Sequence, residues 1–229
     1  VMTYAPQLGG LLNGDLHYMQ ADSATTISTD IGIRRMTYEG TPMGDMGLNA
    51  IYFPNTDGSH HVDAVVTQND NEITMLAGTY WKQNGEGQID AEATLESLPL
   101  SLANAFLPEG TIRLKGATSG SLTVTGRAAN PLMRGSLATE GVHVLAEDYS
   151  VDLSIPDDTL RVNNSYLDLD RIEAYAAGKS PLTIDGSINF SDLDNIRLSL
   201  DLAAKKYKLI DAPQSHTALA YGKVYVDMN

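Results

Sequence analysis

The chain contains no cysteine, so it cannot form a disulfide, a thiolate metal site or a thiol nucleophile. Basic residues are also scarce, because 15 Lys and Arg stand against 29 Asp and Glu, which gives a net charge of -14. A chain this acidic is repelled by phosphate backbones and by anionic head groups. We therefore expect no nucleic-acid partner and no electrostatic attachment to a membrane surface.

Long apolar runs are missing as well. A membrane-spanning helix needs about 18 or more consecutive apolar residues, and no such run occurs. The chain opens at Val1 without the basic and apolar segments of a signal peptide. We expect it to be an internal or near-C-terminal segment of a longer protein. Its 229 residues, 42% of them apolar, suffice for one large β domain or two small ones.

Alternation of apolar and polar residues is abundant. In PLTIDGSINF, residues 181–190, every second residue from Leu182 is apolar or glycine, and the residues between them are polar. This period predicts a β-strand with one apolar and one polar face. The same pattern recurs in residues 14–19, 44–53, 87–95, 120–126, 149–155 and 196–202. Turn-forming clusters separate the segments, as in Pro54–Gly58, Asn69–Asn71, Asn84–Gly87, Asn130–Pro131 and Asp157–Asp158, so we predict a long antiparallel meander.

Three features depart from simple alternation. A cap at Ser97, Pro99 near the first turn and a stop at Pro108 predict one short helix near residues 98–107. The apolar phase flips within residues 160–176 without a turn signal, which predicts a β-bulge. A loose recurrence of glycine, a small polar residue and an aliphatic residue predicts similar strand starts, at residues 14–16, 120–122, 135–137 and 186–188.

Polar residues form no recognisable catalytic pattern. His60 and His61 adjoin Asp57 and Asp63, but neighbouring residues of a strand point to opposite faces, so they would not easily share one metal ion. Asp168 and Asp170 are adequately explained as the polar face of a strand, although paired carboxylates also suit acid–base chemistry. Trp81 is interpreted as a half-buried strand aromatic. We predict a protein that is not an enzyme and that needs no metal or cofactor.

One-sided strands leave the use of the apolar face open. A compact barrel or sandwich would bury such faces against each other, whereas an open, curved sheet would keep them along a channel.

The order of the strands resembles the TamB family of envelope proteins. The resemblance is carried by GSLTVTGRAANPLMRGSLATEGVHV from Gly120, SPLTIDGSINFSDLDNIRLSLDLAAKKYKLIDAP from Ser180, and AYGKVYVDMN from Ala220. It covers residues 110–229 and extends more loosely to the first half. Each motif alone is unspecific, and their order carries the likeness.

This resemblance implies an all-β fold, an elongated, curved antiparallel sheet folded lengthwise, called a β-taco, with an apolar inner groove. It implies one continuous segment, residues 1–229, with a possible subdivision near residue 110. TamB-like proteins are anchored in the inner membrane, cross the periplasm and meet an Omp85-type barrel in the outer membrane. Their cargo is phospholipid, unfolded outer-membrane protein, or both.

On this interpretation the aliphatic residues of the second half line the groove. The predicted lining residues are Leu122, Val124, Val151, Leu153, Leu182, Ile184, Ile188, Phe190, Leu198, Leu200 and Leu202. Two alternatives stay open. One is a β-sandwich that binds a carbohydrate or a protein, with Trp81 as a possible sugar platform. The other is a β-rich hydrolase that uses Asp168 and Asp170.

Overall fold

The computed structural model describes residues 7–21, 24–107, 112–146, 151–176, 178–192, 196–208 and 225–228. These residues form fourteen strands and one 3-10 helix, Leu100–Phe106, between β6 and β7. The strands are β1 Leu8–Ala21, β2 Ala24–Tyr38, β3 Thr41–Pro54, β4 His60–Gln68, β5 Asn71–Gln83, β6 Glu86–Pro99, β7 Arg113–Arg127, β8 Leu132–Ala146, β9 Val151–Ile155, β10 Thr159–Asn163, β11 Tyr166–Ala174, β12 Leu182–Asn189, β13 Arg197–Lys208 and β14 Tyr225–Met228.

All fourteen strands belong to one antiparallel sheet. The strand order follows the chain from β1 to β8 and from β10 to β14, and β9 pairs with β8 beside this path. In the described part of the chain β1 and β14 lie at opposite ends of this order, so the sheet is open. The predicted all-β class, with a single curved antiparallel sheet and one short helix, is confirmed. The sheet also runs across residue 110, because β6 pairs with β7.

Tight turns join most strands, as their sequences predict. Asn69 and Asp70 connect β4 to β5 with φ angles of 50° and 66°, and Asn84 and Gly85 connect β5 to β6 with 52° and 84°. Two successive residues with positive φ define the type I′ turn, which matches the twist of antiparallel strands. The Asn-Asp and Asn-Gly dipeptides at these two turns therefore set the register of the hairpins.

Two predicted details are wrong. The pair Asp157–Asp158 does not reverse the chain, because β9 and β10 both pair with β8 on the same side and the pair only interrupts one long strand. Ser97 does not cap the helix, because it still belongs to β6, and the N-cap is Pro99 without a side-chain hydrogen bond.

Asn104 links the helix to β7, because its side chain accepts a hydrogen bond from the Leu114 N–H at 2.7 Å and donates one to the Leu114 carbonyl at 3.1 Å.

The glycine recurrence also has a different meaning from the predicted strand starts. Gly120 and Gly186 lie inside β7 and β12, with φ angles of 144° and 139°. A Cβ on either residue would collide with the carbonyl oxygen of Ser136 or Ser199 on the neighbouring strand. These glycines let adjacent strands approach closely and bend, which is a known role of glycine in curved sheets.

The predicted bulge in residues 160–176 is confirmed. The register of β11 against β12 shifts between Leu169 and Ile172, and Arg171 adopts a φ of 51°. The bulge leaves the Arg171 backbone N–H without a backbone partner, and this N–H donates to the Asp185 carboxylate on the neighbouring strand β12 at 2.9 Å. Two other bulges repeat this arrangement, with Arg35 donating to Asp45 at 2.6 Å and Gly141 donating to Asp157 at 2.9 Å.

Replacing Gly186 by alanine is expected to destabilise the sheet by about 2–4 kcal/mol, because the new Cβ meets the Ser199 carbonyl and the backbone conformation suits only glycine. Urea denaturation followed by circular dichroism measures the loss. Ser187→Ala, on the opposite face, serves as the control and should change stability by less than about 0.5 kcal/mol. Equal stability of both variants would contradict this account of the glycines.

Removing the aspartate that accepts the N–H of the β11 bulge is expected to lower stability less than the Gly186 substitution does. Asp185→Ala should lower the free energy of unfolding by about 1 kcal/mol, because the Arg171 N–H loses its partner. Asp201 lies directly opposite Asp185, so Asp201→Ala removes like-charge repulsion and should leave stability unchanged or slightly higher. Urea midpoints that move in the same direction for both variants would refute the capping role.

Candidate functional site: the apolar face

One row of directly paired residues crosses twelve strands and carries an apolar side chain at every position except Thr29 and Gly135. Successive cross-strand partners of an antiparallel sheet share a face. At about 4.8 Å between strands, the row follows the sheet for about 53 Å. Its members are Leu16, Thr29, Ala50, Ala64, Leu76, Ala93, Leu122, Gly135, Val162, Leu167, Ile188 and Leu198.

Two parallel rows flank this central row, and we call the surface formed by the three rows the apolar face. The first flanking row consists of Tyr18, Ile27, Tyr52, Val62, Gly78, Ala91, Val124 and Met133. The second consists of Gly14, Ile31, Leu48, Val66, Thr74, Leu95, Gly120, Leu137 and Leu160.

The opposite side, which we call the polar face, has a different composition. A row shifted by one residue from the central row reads Asp15, Asp30, Asn49, Val65, Met75, Thr94, Ser121, Ser136, Arg161, Asp168, Ser187 and Ser199. Only two of these residues are apolar. The bulges keep the apolar and polar residues on separate faces. In β11 the bulge adds one residue between Leu169 and Ile172, so these two residues, three apart in sequence, lie on the same face.

The pairings bring the predicted lining residues to the apolar face. Ten of the eleven lie in strands, and Phe190 directly follows β12. Leu122 pairs with Ala93, Ile188 pairs with Leu198, and Ile184 joins Leu202 to Ile172. Beyond the bulge of β8 the same face continues through Val144 and Leu153. These strand residues therefore share one face of the sheet, and their role as groove-lining residues stays a prediction.

Accessibility varies strongly along this face. Leu198 and Leu200 in β13 are 63% and 42% exposed, whereas Val162 and Ile172 are 3% and 7% exposed. Val151, predicted to line the groove, is buried at 9% and is not accessible to a large ligand. The open parts of the apolar face are therefore its β1 and β13 ends, with half-buried side chains such as Leu122 and Ile184 between them.

The 3-10 helix packs against the sheet near β3 and β7. It contacts both β7 and β3, and Ala105 of the helix is buried. Met43, Ile73 and Leu95 are also buried in this half of the sheet. Phe106 is the last residue of this helix, and its side chain is not part of what the structure describes.

Sequence reasoning missed a depression on the polar face. Ile51, Val65, Met75 and Ala77 help to line an open depression of about 580 Å³, in which Asp63 lies between Ile51 and Ala77 and Glu92 follows Ala77 on the next strand. The sequence shows that these four residues are apolar. They alternate with the residues of the apolar face, however, so they were expected to face water among polar side chains. Only the pairing of β3, β4 and β5 brings the four side chains together.

The histidines point to opposite faces, as predicted. His60 accepts or donates a hydrogen bond at 2.7 Å through Nδ1 to the Tyr52 hydroxyl, whereas His61 Nε2 lies 3.0 Å from Asp63. Asp57 is bound locally, because the Ser59 hydroxyl and N–H both donate to it and thereby lower its pKa. The described residues contain no group of three or more possible metal ligands.

The carboxylates considered for hydrolysis do not form a site. Asp168 pairs with Ser187 and Arg161 on the exposed polar face. Asp170 sits in the bulge, 86% exposed, 3.4 Å from the Arg171 guanidinium. Carboxylates that act as an acid–base pair sit together in a shielded site, whereas both of these side chains are exposed to solvent. Trp81 is partly buried in β5, as predicted.

Comparison with known proteins adds no identification, since no family model, no curated protein and no solved structure matches the chain. In the described ranges no helix combines the length and apolar character needed to cross a membrane. All described strands also lie in one sheet, so the two-sheet architecture of a sandwich is not formed by these residues.

If the β13 end of the apolar face is open to solvent, substitutions there should be mild. Leu200→Ala is expected to cost less than about 1 kcal/mol, because the side chain is already 42% exposed. Ile172→Ala should cost about 2–4 kcal/mol, because its side chain is buried and the change leaves a cavity. Urea denaturation compares the two, and a cost above 2 kcal/mol for Leu200→Ala would indicate a covered face.

Proposed function

We propose that this chain is a non-catalytic segment of a TamB-like envelope protein, and that its apolar face carries the acyl chains of phospholipids. The observation that carries the proposal is the row of cross-strand partners that carries apolar side chains over twelve strands except at Thr29 and Gly135. A packed core does not require such length, whereas a conduit does. Unfolded outer-membrane protein, whose strands are also apolar on one side, is the alternative cargo.

The energetics suit binding with movement. Each methylene removed from water contributes about 0.8 kcal/mol, so about a dozen methylenes of one acyl chain gain at most about 10 kcal/mol on this face. The three rows present mainly aliphatic side chains and glycines, and none of their residues is charged. Because neighbouring positions are nearly equivalent, a chain that moves from one strand to the next loses and regains similar contacts.

The polar face supports the same role. Aspartate, serine and asparagine side chains dominate its central row, and the net charge of the chain is -14. These groups keep an extended sheet hydrated and repel anionic membrane surfaces. Lipid would then be held by its acyl chains along the apolar face while its head group stays in water.

The proposed setting follows from the resemblance to TamB. There the segment lies in the periplasm, the longer protein is anchored in the inner membrane, and an Omp85-type barrel is the partner at the outer membrane. Phospholipid taken from one membrane would travel along the apolar face toward the other. No cofactor is needed, because transfer makes and breaks no covalent bond.

Photo-crosslinking tests this function at matched positions. A photoreactive amino acid is placed at Ile188 or Leu200 on the apolar face, and at Ser187 or Ser199 on the polar face. The purified chain is incubated with vesicles of phosphatidylethanolamine and phosphatidylglycerol, irradiated and examined by mass spectrometry. We expect lipid adducts at Ile188 and Leu200, because only these side chains meet the acyl chains.

The control positions decide the outcome. Ser187 and Ser199 are paired with each other in the same two strands, so they differ from the test positions only in the face they occupy. Equal lipid capture at all four positions would indicate non-specific adsorption. Adducts to the chain's own residues alone would show a closed apolar face and would reject the proposal.

A further inference from the structure

We propose that the depression on the polar face is a docking site for a basic segment of another protein, one that carries an arginine beside an apolar side chain. The depression lies within β2–β6, and each of these strands is paired with a neighbour on both sides. It is separate from the apolar face, so the inference does not rest on lipid transport.

Apolar side chains are grouped in this depression on a face that is otherwise mostly polar. Val65 pairs directly with Met75, and Ala77 follows Met75 by two residues on the same face. Ile51 lies on the neighbouring strand β3 and is 42% exposed. Single exposed aliphatic residues are ordinary, whereas a contiguous exposed group that includes a flexible methionine is typical of surfaces that bind other proteins.

Two carboxylates stand within this apolar group. Asp63 and Glu92 both pair with Ala77, one from each side, which places their backbones about 10 Å apart. His61 Nε2 lies 3.0 Å from one oxygen of Asp63. Within the described part of the chain Glu92 has no hydrogen-bond or ion-pair partner. A cation that reaches either carboxylate therefore also contacts aliphatic side chains.

The chain brings no cation of its own to the two carboxylates. The described residues that line the depression include no lysine or arginine. In the row of paired residues that contains Glu92, the nearest such residue is Arg134, two strands away, and its guanidinium donates to Asn164. Because the net charge of the chain is -14, its long-range field attracts basic partners.

An arginine next to an apolar residue matches both features of the depression. The methylenes of the arginine can lie on Val65 and Met75 while its guanidinium pairs with a carboxylate, and the neighbouring apolar side chain covers Ile51. A polypeptide supplies both groups on one backbone and can cover an open surface, whereas small ligands are bound in clefts that enclose most of their area. A second copy of this chain is disfavoured, because it would add another net charge of -14.

Methionine methyl NMR tests the site directly, because Met75 lines the depression whereas Met133 lies on the apolar face. The full chain is labelled with carbon-13 at its methionine methyl groups, and Met75→Leu and Met133→Leu assign the two signals. The probe is a synthetic heptapeptide of three arginines alternating with two leucines, with a glycine at each end. We expect a saturable shift of the Met75 signal and an unchanged Met133 signal.

Two control peptides separate charge from apolar contact. Citrulline in place of each arginine keeps the shape and removes the charge, and serine in place of each leucine keeps the charge and removes the apolar side chains. Both changes should weaken binding by at least about fivefold, because each removes one of the two matched features.

Charge variants of the chain provide the matched test on the protein side. Glu92→Gln and Asp63→Asn each remove one charge inside the depression, whereas Asp168→Asn removes one from an exposed position of the polar face in β11. The first two should weaken binding of the arginine peptide about fivefold, and the third should change it by less than about twofold. Circular dichroism confirms folding, and Glu92→Gln breaks no contact within the described residues.

Filling the depression tests its shape without a change of charge. Ala77→Phe places a ring between Asp63 and Glu92, so binding of the arginine peptide should weaken about tenfold. Ser136→Phe adds the same ring to the polar face in β8, two strands beyond Thr94 of the depression, and should leave binding unchanged.

Several results would overturn the proposal. They are no shift of Met75 at millimolar peptide, equal binding of the citrulline peptide, equal effects of Glu92→Gln and Asp168→Asn, and a Met133 shift larger than that of Met75. Butylguanidinium that binds as tightly as the peptide would replace it with a site for small cations, and a Met75-dependent dimer in sedimentation would replace it with a second copy. Lipid capture at Ile188 is measured separately, so either proposal can fail alone.

Discussion

A sheet satisfies its backbone hydrogen bonds by pairing strands, but pairing alone does not bury a side chain. In this protein every described strand pairs within a single layer, and the main contacts connect sheet neighbours. A layer with one apolar face normally packs against a second layer. Here the described residues supply only a 3-10 helix at one end, so much of the apolar face is covered by nothing but the curvature of the sheet itself. The shape, the exposure pattern and the proposed function all depend on this constraint.

Curvature must therefore be encoded strand by strand, and two devices supply it. Glycines inside strands, such as Gly120 and Gly186, have no Cβ at positions where a carbonyl oxygen of the neighbouring strand comes close to the backbone. Bulges add a residue on one strand, and an aspartate on the adjacent segment accepts the backbone N–H that the bulge releases, as Asp185 does for Arg171. Bulges increase the local bend and twist of a sheet. Because an aspartate carboxylate caps each of these three bulges, part of the acidic excess has a structural role.

Strand content and the two faces were predictable because they depend on local period. The pattern of residues 182–189 predicts a strand whose even positions share a face, and its partners in β11 and β13 obey the same rule. Features that depend on the neighbouring strand were not predictable. The need for Gly186 lies in the Ser199 carbonyl, and the role of Asp185 lies in a bulge fourteen residues earlier.

The candidate site was predictable only in part, for the same reason. Its composition follows from alternation, but its accessibility depends on what covers each strand. Val162 and Leu198 occupy the same row, yet they are 3% and 63% exposed. Alternation cannot distinguish them, because both are aliphatic residues at equivalent positions.

The near-uniform row of aliphatic side chains on the apolar face suits the proposed transport better than storage of one ligand. A deep, specific site binds one ligand tightly, and tight binding at one point slows movement along a path. A row of similar aliphatic positions distributes the interaction over many strands, each contributing roughly the value of a few methylenes. Because neighbouring strands interact mainly with each other, the stability of such a sheet is close to a sum of nearest-neighbour terms. The same repetition that makes the sheet extensible makes its apolar face nearly uniform, and near-uniformity is what allows a bound chain to move.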